Sequence, residues 1–295
     1  MSATGLLTPT YWRDLESCEL LCESVDRYVD SFTRHYLIVA DQELPLFRKF
    51  NSARRVALPA SQFLPPWLKS LPGFIQRNRR RYWWSFRSKP VSGWLIQQLL
   101  KIGAAATLPE QRYCILDSDV VLFRPFDLAA LAAPNRTPLF SISHAIAADA
   151  PLHARWVSAG HRLLGLGGPT FPADDHIGHV IVWDQQAVRA MIARIEQIGG
   201  REWAEALCCE RDVSEYLLYG YFVKGSPDHL AQHDITSKQL CVSYWDAAKL
   251  DARAIAGLLD SADGHVAFSA ASFSQTPIDV IRAALGKCPA MQKVG

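Results

Sequence analysis

The sequence predicts an α/β fold in which helices flank a mostly parallel sheet. Short apolar runs typical of buried strands alternate with longer segments of helical periodicity in the first half of the chain. The order strand, helix, strand is typical of right-handed crossover units, which build parallel sheets. No repeat, low-complexity tract or Gly/Ser linker divides the chain, so we expect one domain whose residues 1–125 and 126–295 form two functional halves.

Each predicted element has its own signal in the sequence. Apolar or β-branched runs predict strands at residues 5–10, 35–40, 113–116 and 179–183. Helical spacing of apolar residues predicts helices near residues 15–28, 92–106 and 185–198. Prolines interrupt residues 58–74, which we expect to form an irregular surface loop, and residues 214–223 form an aromatic-rich segment.

Composition favours a cytoplasmic enzyme. The 295 residues are 49% hydrophobic and carry a formal charge of only +2, so no global field favours nucleic acid as a partner. The N-terminal sequence lacks the pattern of a secretory signal, and no apolar run is long enough to span a membrane. The 7 cysteines are an odd number and include the neighbours Cys208 and Cys209, which favours free thiols in a reducing compartment.

Two acidic residues follow a predicted core strand directly. If the backbone stays extended, Asp117 and Asp119 point to the same side and Ser118 to the other. Paired carboxylates suit Mg²⁺ or Mn²⁺, and ligands of parallel sheets bind beyond the carboxyl ends of strands. We therefore interpret the pair as a cation site. The alternative is that both aspartates accept backbone hydrogen bonds in a turn.

A second enzyme class also uses this pattern of residues. An apolar strand followed by Asp-x-Asp resembles the nucleophile motif of haloacid-dehalogenase-like phosphatases, in which Asp117 would be the nucleophile and Asp174 with Asp175 the distal acidic motif. That motif normally opens the first strand and continues with Gly-Thr. Here two strand and helix units precede it and Val120 follows. The phosphatase therefore ranks second.

Several blocks carry a resemblance to a known superfamily. The segment ILDSDVVLFRPF resembles the Asp-x-Asp strand of GT-A glycosyltransferases. Together with TPTYWRDLESCELLCESV, GWLIQQLLKIGAA, GHVIVWD and SEYLLYGYFV, it is similar to a bacterial family of glycosyltransferase-like proteins. The resemblance implies a GT-A fold and transfer of a hexose from a nucleotide sugar, with a UDP-sugar favoured, to a glycan or lipid-linked hydroxyl acceptor. It also implies Mn²⁺ or Mg²⁺ as cofactor.

The resemblance also implies which residues form the site. The nucleotide sugar would contact Thr8, Pro9, Thr10, Tyr11, Asp41, Gln98, Lys101, Asp117 and Ser118. The metal ligands would be Asp117 and Asp119, with His265 as a third ligand from the C-terminal region. For Gln98 and Lys101 the alternative is a solvated helix face, and for His265 it is a surface or packing role.

An inverting transfer needs a carboxylate base near the acceptor hydroxyl. The resemblance places Glu215 in the acceptor region, and Asp175 is the other candidate. Glu215 could instead help Ser214 to cap a helix. The segment from Asp174 to His179 also contains two histidines with zinc-like spacing, but no third ligand is evident, and we interpret these residues as part of the acceptor site.

Residues 77–87 interleave arginines with aromatic side chains. Three interpretations stay open: a solvated arginine face with Trp83 and Trp84 packed in the core, arginines that close over the diphosphate, or a peripheral contact with a membrane or anionic acceptor. A non-catalytic carbohydrate-binding protein, with its tryptophans as sugar platforms, is the alternative to an enzyme.

Overall fold

The computed structural model describes residues 3–71, 82–131, 133, 135–210 and 212–286. Its strands are β1 (Thr4–Pro9), β2 (Val29–Asp30), β3 (His35–Val39), β4 (Arg55–Pro59), β5 (Lys69–Ser70), β6 (Tyr82–Trp84), β7 (Val91–Ser92), β8 (Arg112–Ile115), β9 (Val120–Leu122), β10 (Phe126–Asp127), β11 (Thr137–Phe140), β12 (Ile142–Ile146), β13 (Ala173–Asp175), β14 (Ile181–Asp184), β15 (His233–Thr236), β16 (Cys241–Tyr244) and β17 (Ala267–Ala270). Its helices are α1 (Leu15–Tyr28), α2 (Leu44–Phe47), α3 (Gly93–Thr107), α4 (Pro151–Leu164), α5 (Gln185–Gly199), α6 (Trp203–Glu210), α7 (Glu215–Lys224), α8 (Pro227–Leu230), α9 (Ala252–Asp260) and α10 (Ile278–Gly286).

The main sheet has the strand order β14-β8-β1-β3-β4. The pairs β8 with β1, β1 with β3, and β3 with β4 are all parallel. Only β14 runs antiparallel to its neighbour β8. The predicted α/β class with a mostly parallel main sheet is therefore confirmed.

Helices cover both faces of this sheet. Neighbouring residues of a strand point to opposite faces, so Leu6 and Leu7 of β1 enter different cores. Leu6 packs in one cluster with residues of α1, including Leu21. Leu7 packs in another with residues of α3, including Leu99. Because every strand of such a sheet is buried on both faces, its sequence reads as an unbroken apolar run.

Local capping sets the ends of the helices next to the site. The Ser92 side chain accepts a hydrogen bond from the backbone N–H of Leu95 at the start of α3. Asp184 caps α5 in the same way, and Gly200 ends that helix with a φ of 60°, a left-handed conformation that glycine adopts without strain. The Ser214 hydroxyl caps α7 by accepting from the N–H of Leu217.

Two segments differ from their predicted form. The aromatic-rich residues 214–223 lie mostly in helix α7. Its side chains are almost all buried, so its sequence has no amphipathic pattern that would predict a helix. The proline-rich residues 58–74 include the end of β4 and the short strand β5, and residues 72–74 lie outside the described part of the chain. Across the described residues, no helix has the length and apolarity needed to cross a membrane.

Candidate functional site

The candidate site lies where the strand order of the main sheet reverses. From β1 the chain passes to β3 and β4 on one side, and later returns to β8 on the other side of β1. Crossover connections that diverge in this way leave a crevice beyond the carboxyl ends of the two neighbouring strands. Residues 10–14 follow β1 and residues 117–119 follow β8, so both segments meet at this crevice.

The backbone of the acidic pair turns sharply instead of staying extended. The N–H of Val120 donates to the carbonyl of Asp117 at 3.1 Å, which closes a turn over residues 117–120. The premise of an extended backbone is therefore wrong. The Ser118 hydroxyl donates to Asp14 Oδ2 at 3.0 Å and joins the two segments of the crevice.

Three carboxylates, which we call the acid cluster, gather here: Asp14, Asp117 and Asp119. Burial, and then repulsion from Asp117, raises the pKa of Asp119 to about 7. Burial also raises the pKa of Asp14 to about 6, although the Ser118 hydrogen bond lowers it; weaker repulsion from Asp119 and Asp117 adds to the rise. Asp119 Oδ1 is buried without a hydrogen-bond partner among the described residues. This oxygen and the crowding of negative charge favour binding of a cation.

Lys101 neutralises one member of the acid cluster. Its Nζ lies 2.7 Å from Asp117 Oδ1 and 2.8 Å from Glu215 Oε1. The side chains of Lys101 and Glu215 are each only 6% exposed. Burial alone would lower the pKa of Lys101, but the charges of Asp117 and Glu215 hold it well above its usual value. Burial would likewise raise the pKa of Asp117, yet the charge of Lys101 lowers it, so Lys101 and Asp117 are both charged at neutral pH.

Gln98 and Lys101 dock helix α7 onto helix α3. Gln98 is one turn before Lys101, and its Oε1 accepts a hydrogen bond from the backbone N–H of Glu215 at 3.1 Å. Lys101 Nζ also donates to the Tyr216 hydroxyl at 3.2 Å. Both predicted sugar-binding side chains are thus buried in contacts within the protein rather than on a solvated helix face.

A cavity of about 730 Å³ opens next to the acid cluster. His179 connects the two, because its ring lines the cavity and its Nδ1 lies 3.8 Å from Asp117 Oδ2. Burial lowers the pKa of His179, so the ring is neutral at pH 7 and this contact is not an ion pair. Neither ring nitrogen of His179 has a hydrogen-bond partner among the described residues. Its ring stacks on that of Trp245, with centroids 5.3 Å apart.

The two candidate bases occupy different surroundings. Asp175, at the end of β13, lines the cavity, and its Oδ1 accepts from the N–H of Ile177 at 2.8 Å. Burial raises the pKa of Asp175. Glu215 is held by Lys101 instead and is not among the cavity-lining residues. The geometry therefore brings Asp175, but not Glu215, to the cavity.

The C-terminal strand β17 places His265 away from the acid cluster. Ser269 of β17 pairs with Val120, and its side chain hydrogen-bonds Asp119. His265 precedes Ser269 by four residues, roughly 13 Å of extended chain. The carbonyl of His265 accepts from Arg124, at the other end of β9. The structure thus brings Ser269, and not His265, to Asp119.

Some of the predicted nucleotide contacts lie at the crevice, and others belong to strand β1 itself. Thr10 and Tyr11 follow β1 at the crevice. Thr8, however, is fully buried within β1, where His35 Nε2 lies 3.0 Å from its hydroxyl. The neighbouring residue Pro9 is the last of β1. Asp41 is exposed, and its carboxylate accepts from the N–H of Ser61 at 3.0 Å.

The arginine-rich segment is described only in part. Residues 77–81 lie outside the described residues. Tyr82–Trp84 form strand β6 with half-buried side chains, and Phe86 is 96% exposed. Arg87 lies 3.5 Å from carboxylate oxygens of both Glu202 and Glu205.

Sequence reasoning missed four residues of the site: Asp14, Tyr216, Trp245 and Ser269. The signals for Asp14 and Tyr216 were present, since each lies within a block that resembles glycosyltransferases. No sequence signal marks Trp245, because its position depends on the long connection between β16 and α9. Within the described ranges, no group of three or more His, Cys, Asp or Glu side chains has a metal-binding arrangement.

A family model described as a family of unknown function (DUF6492) matches residues 3–282. No curated protein matches the chain.

Proposed function

Since the chain belongs to the DUF6492 family of unknown function, we propose its activity from the site itself: a metal-dependent glycosyltransferase of the GT-A type. It moves a hexose from a nucleotide sugar, with a UDP-sugar favoured, to a hydroxyl acceptor. The observation that carries this proposal is the acid cluster at a sheet crevice beside a large cavity, with Asp119 Oδ1 lacking a hydrogen-bond partner in the described part of the chain.

The acid cluster fits a divalent cation. Mg²⁺ and Mn²⁺ commonly take one or two protein carboxylates and complete their shell with waters and substrate phosphates. Asp119 and Asp14 would hold the ion, because burial raises the pKa of both carboxyls and repulsion from neighbouring acids adds to the rise, and a bound cation would offset that repulsion. Asp117 is already paired with Lys101 through one carboxylate oxygen, and its other oxygen faces His179. When bound, the cation would neutralise the departing nucleotide diphosphate.

The cavity would admit the acceptor. As the anomeric C–O bond to the diphosphate breaks, its electron pair leaves with the nucleotide, and the acceptor oxygen bonds to the anomeric carbon. The hydroxyl proton would pass to Asp175, whose raised pKa makes it a stronger base than an exposed aspartate. The neutral His179 ring would accept a hydrogen bond from a hydroxyl of the sugar-accepting substrate, since its ring nitrogens have no hydrogen-bond partner among the described residues.

Calorimetry with Mn²⁺ and UDP tests the nucleotide site. We expect UDP to bind in the presence of Mn²⁺, and Asp119→Asn and Asp14→Asn each to weaken binding at least tenfold. Asp149→Asn is the matched control, because Asp149 is exposed and outside the crevice. A screen of UDP-, GDP- and related sugars for hydrolysis or transfer then identifies the donor. If no nucleotide binds with Mn²⁺, or if both cluster variants bind like the control, the proposal fails.

A phosphatase with Asp117 as nucleophile is the second candidate. It is favoured by one observation, the ionised carboxylate that Lys101 holds beside a neutral histidine. It predicts a beryllofluoride adduct on Asp117, which mass spectrometry or fluorine NMR would detect. A carbohydrate-binding protein without catalysis would instead bind UDP and Mn²⁺ but release no product.

A further inference from the structure

The cavity also indicates the chemical class of the acceptor. Resting on the proposed transfer reaction, we infer that the acceptor is amphipathic: a hydroxyl compound whose reactive end is polar and whose remainder is an aromatic or aliphatic group. The volume of about 730 Å³ lies within the usual range of small-molecule sites.

The walls of the cavity are mainly apolar. Polar side chains belong to 7 of its 22 lining residues: His153, Asp175, His179, Thr236, Lys238, Gln239 and Ser243. The others include Phe140, Ile142, Trp156, Ile181 and Leu240. A free sugar would bury several hydroxyl groups against these apolar walls, and each unpaired hydroxyl costs free energy. An apolar group gains free energy there instead.

One end of the cavity, at His179, adjoins the acid cluster. Asp175 also lines the cavity, and His179 Nδ1 lies 3.8 Å from Asp117 Oδ2. Both ring nitrogens of His179 are buried and without partners among the described residues, so a ligand hydroxyl at this end would satisfy a group that is otherwise left unpaired. The reactive hydroxyl therefore belongs at this end, and the apolar group lies against the aromatic walls.

Two aromatic side chains that line the cavity are partly exposed to solvent. Trp245 is 58% exposed and Phe273 is 54% exposed, although both line the cavity. Trp245 stacks on His179, and the exposed part of its side chain is available to a ligand. Such partly exposed aromatic groups bury large areas when a ligand covers them.

Backbone strain at the cavity wall supports a ligand site. Val180 lines the cavity with a φ of 63°, a left-handed conformation that is unfavourable for a β-branched residue. Strained residues of this kind cluster at functional sites, where the surrounding structure holds them in place. The strained Val180 follows His179 directly, so the strain lies next to the cavity-lining histidine.

Calorimetry with a pair of matched sugars tests the inference. Phenyl β-D-glucoside and methyl β-D-glucoside have the same sugar and differ only in the apolar group. We expect the phenyl compound to bind at least tenfold more tightly. Trp245→Ala should weaken its binding at least fivefold, whereas Phe86→Ala, which removes an exposed aromatic side chain outside the cavity, should leave it unchanged.

Neither a nucleotide nor a metal is present in these titrations, which separates the two proposals. If the two glucosides bind equally, if neither binds, or if Trp245→Ala behaves like Phe86→Ala, the amphipathic acceptor is refuted whatever the result with UDP and Mn²⁺. If the phenyl compound binds selectively while UDP does not bind, the cavity inference stands and the transfer reaction fails.

Discussion

Replacing Lys101 by methionine tests the electrostatic core of the site. The substitution keeps a flexible apolar side chain of similar length but removes the charge between Asp117 and Glu215. In the wild type the Lys101 ammonium is within 2.8 Å of oxygens of both carboxylates. Without it, Glu215 remains buried as an uncompensated acid.

The expected loss of stability is large. Removing one partner of a buried ion pair typically costs about 3–5 kcal/mol, because the remaining charge stays desolvated. Since the free energy of unfolding of a domain is typically about 5–15 kcal/mol, this loss is a large part of the total stability. Adding Glu215→Gln to Lys101→Met removes one unpaired charge, and we expect the double variant to recover at least about 1 kcal/mol.

Urea unfolding followed by tryptophan fluorescence measures these differences. Lys49→Met is the matched control, because Lys49 pairs with Glu19 at 3.3 Å on the surface, where both side chains are more than 40% exposed. Exposed pairs contribute about 0–1 kcal/mol. A loss for Lys101→Met no greater than that of the control would refute the argument that Lys101 is the charged centre of a buried network.

Three further predictions concern packing and titration. Gly220→Ala places a Cβ 2.1 Å from Cγ of His176, so we expect the free energy of unfolding in urea to fall by about 2 kcal/mol or more. Gly257→Ala is the control, because the space around Gly257 is open, and it should stabilise its helix by up to about 1 kcal/mol. Equal effects would contradict the steric argument. Burial lowers the pKa of His176 to about 4. As the pH falls, the His176 side chain of the unfolded chain is therefore protonated before that of the folded protein. The stability of the folded state consequently decreases by about 3 kcal/mol between about pH 6.5 and pH 4. His176→Asn should show a correspondingly flatter dependence of unfolding free energy on pH, and an unchanged slope would refute this assignment. Ser118→Ala removes the hydrogen bond that lowers the pKa of Asp14, so its pKa should rise above about 6 in a carboxyl-resolved NMR titration, and an unchanged value would show that the hydroxyl is not bonded to the acid.

Much of the fold follows from local sequence signals. Strand β8 and helix α3 were predictable, because an apolar run buried on both faces and a helix with a capping serine each carry their signal within a few residues. The antiparallel direction of β14 was not predictable, since a run of apolar residues has the same pattern in either chain direction. Helix α7 lacked periodicity because it is buried almost all round.

The residue pattern alone predicted the candidate site best at the strand ends. Asp117 and Asp119 were found because acids directly follow a core strand. The ion pair between Lys101 and Glu215 joins residues 114 positions apart, and no local pattern encodes which buried acid a lysine will reach. The distance of His265 from Asp119 follows from the register of β17 against β9, which depends on tertiary packing.

The acid cluster holds a proton for part of the time at neutral pH, because Asp119 has a pKa of about 7. A cation that occupies this place must displace that proton into the solvent. Its apparent affinity should therefore increase between about pH 6 and pH 8, and its measured heat should change with the ionisation enthalpy of the buffer. Acidification of the surroundings would then release the ion, and under the proposed function it would weaken nucleotide binding as well.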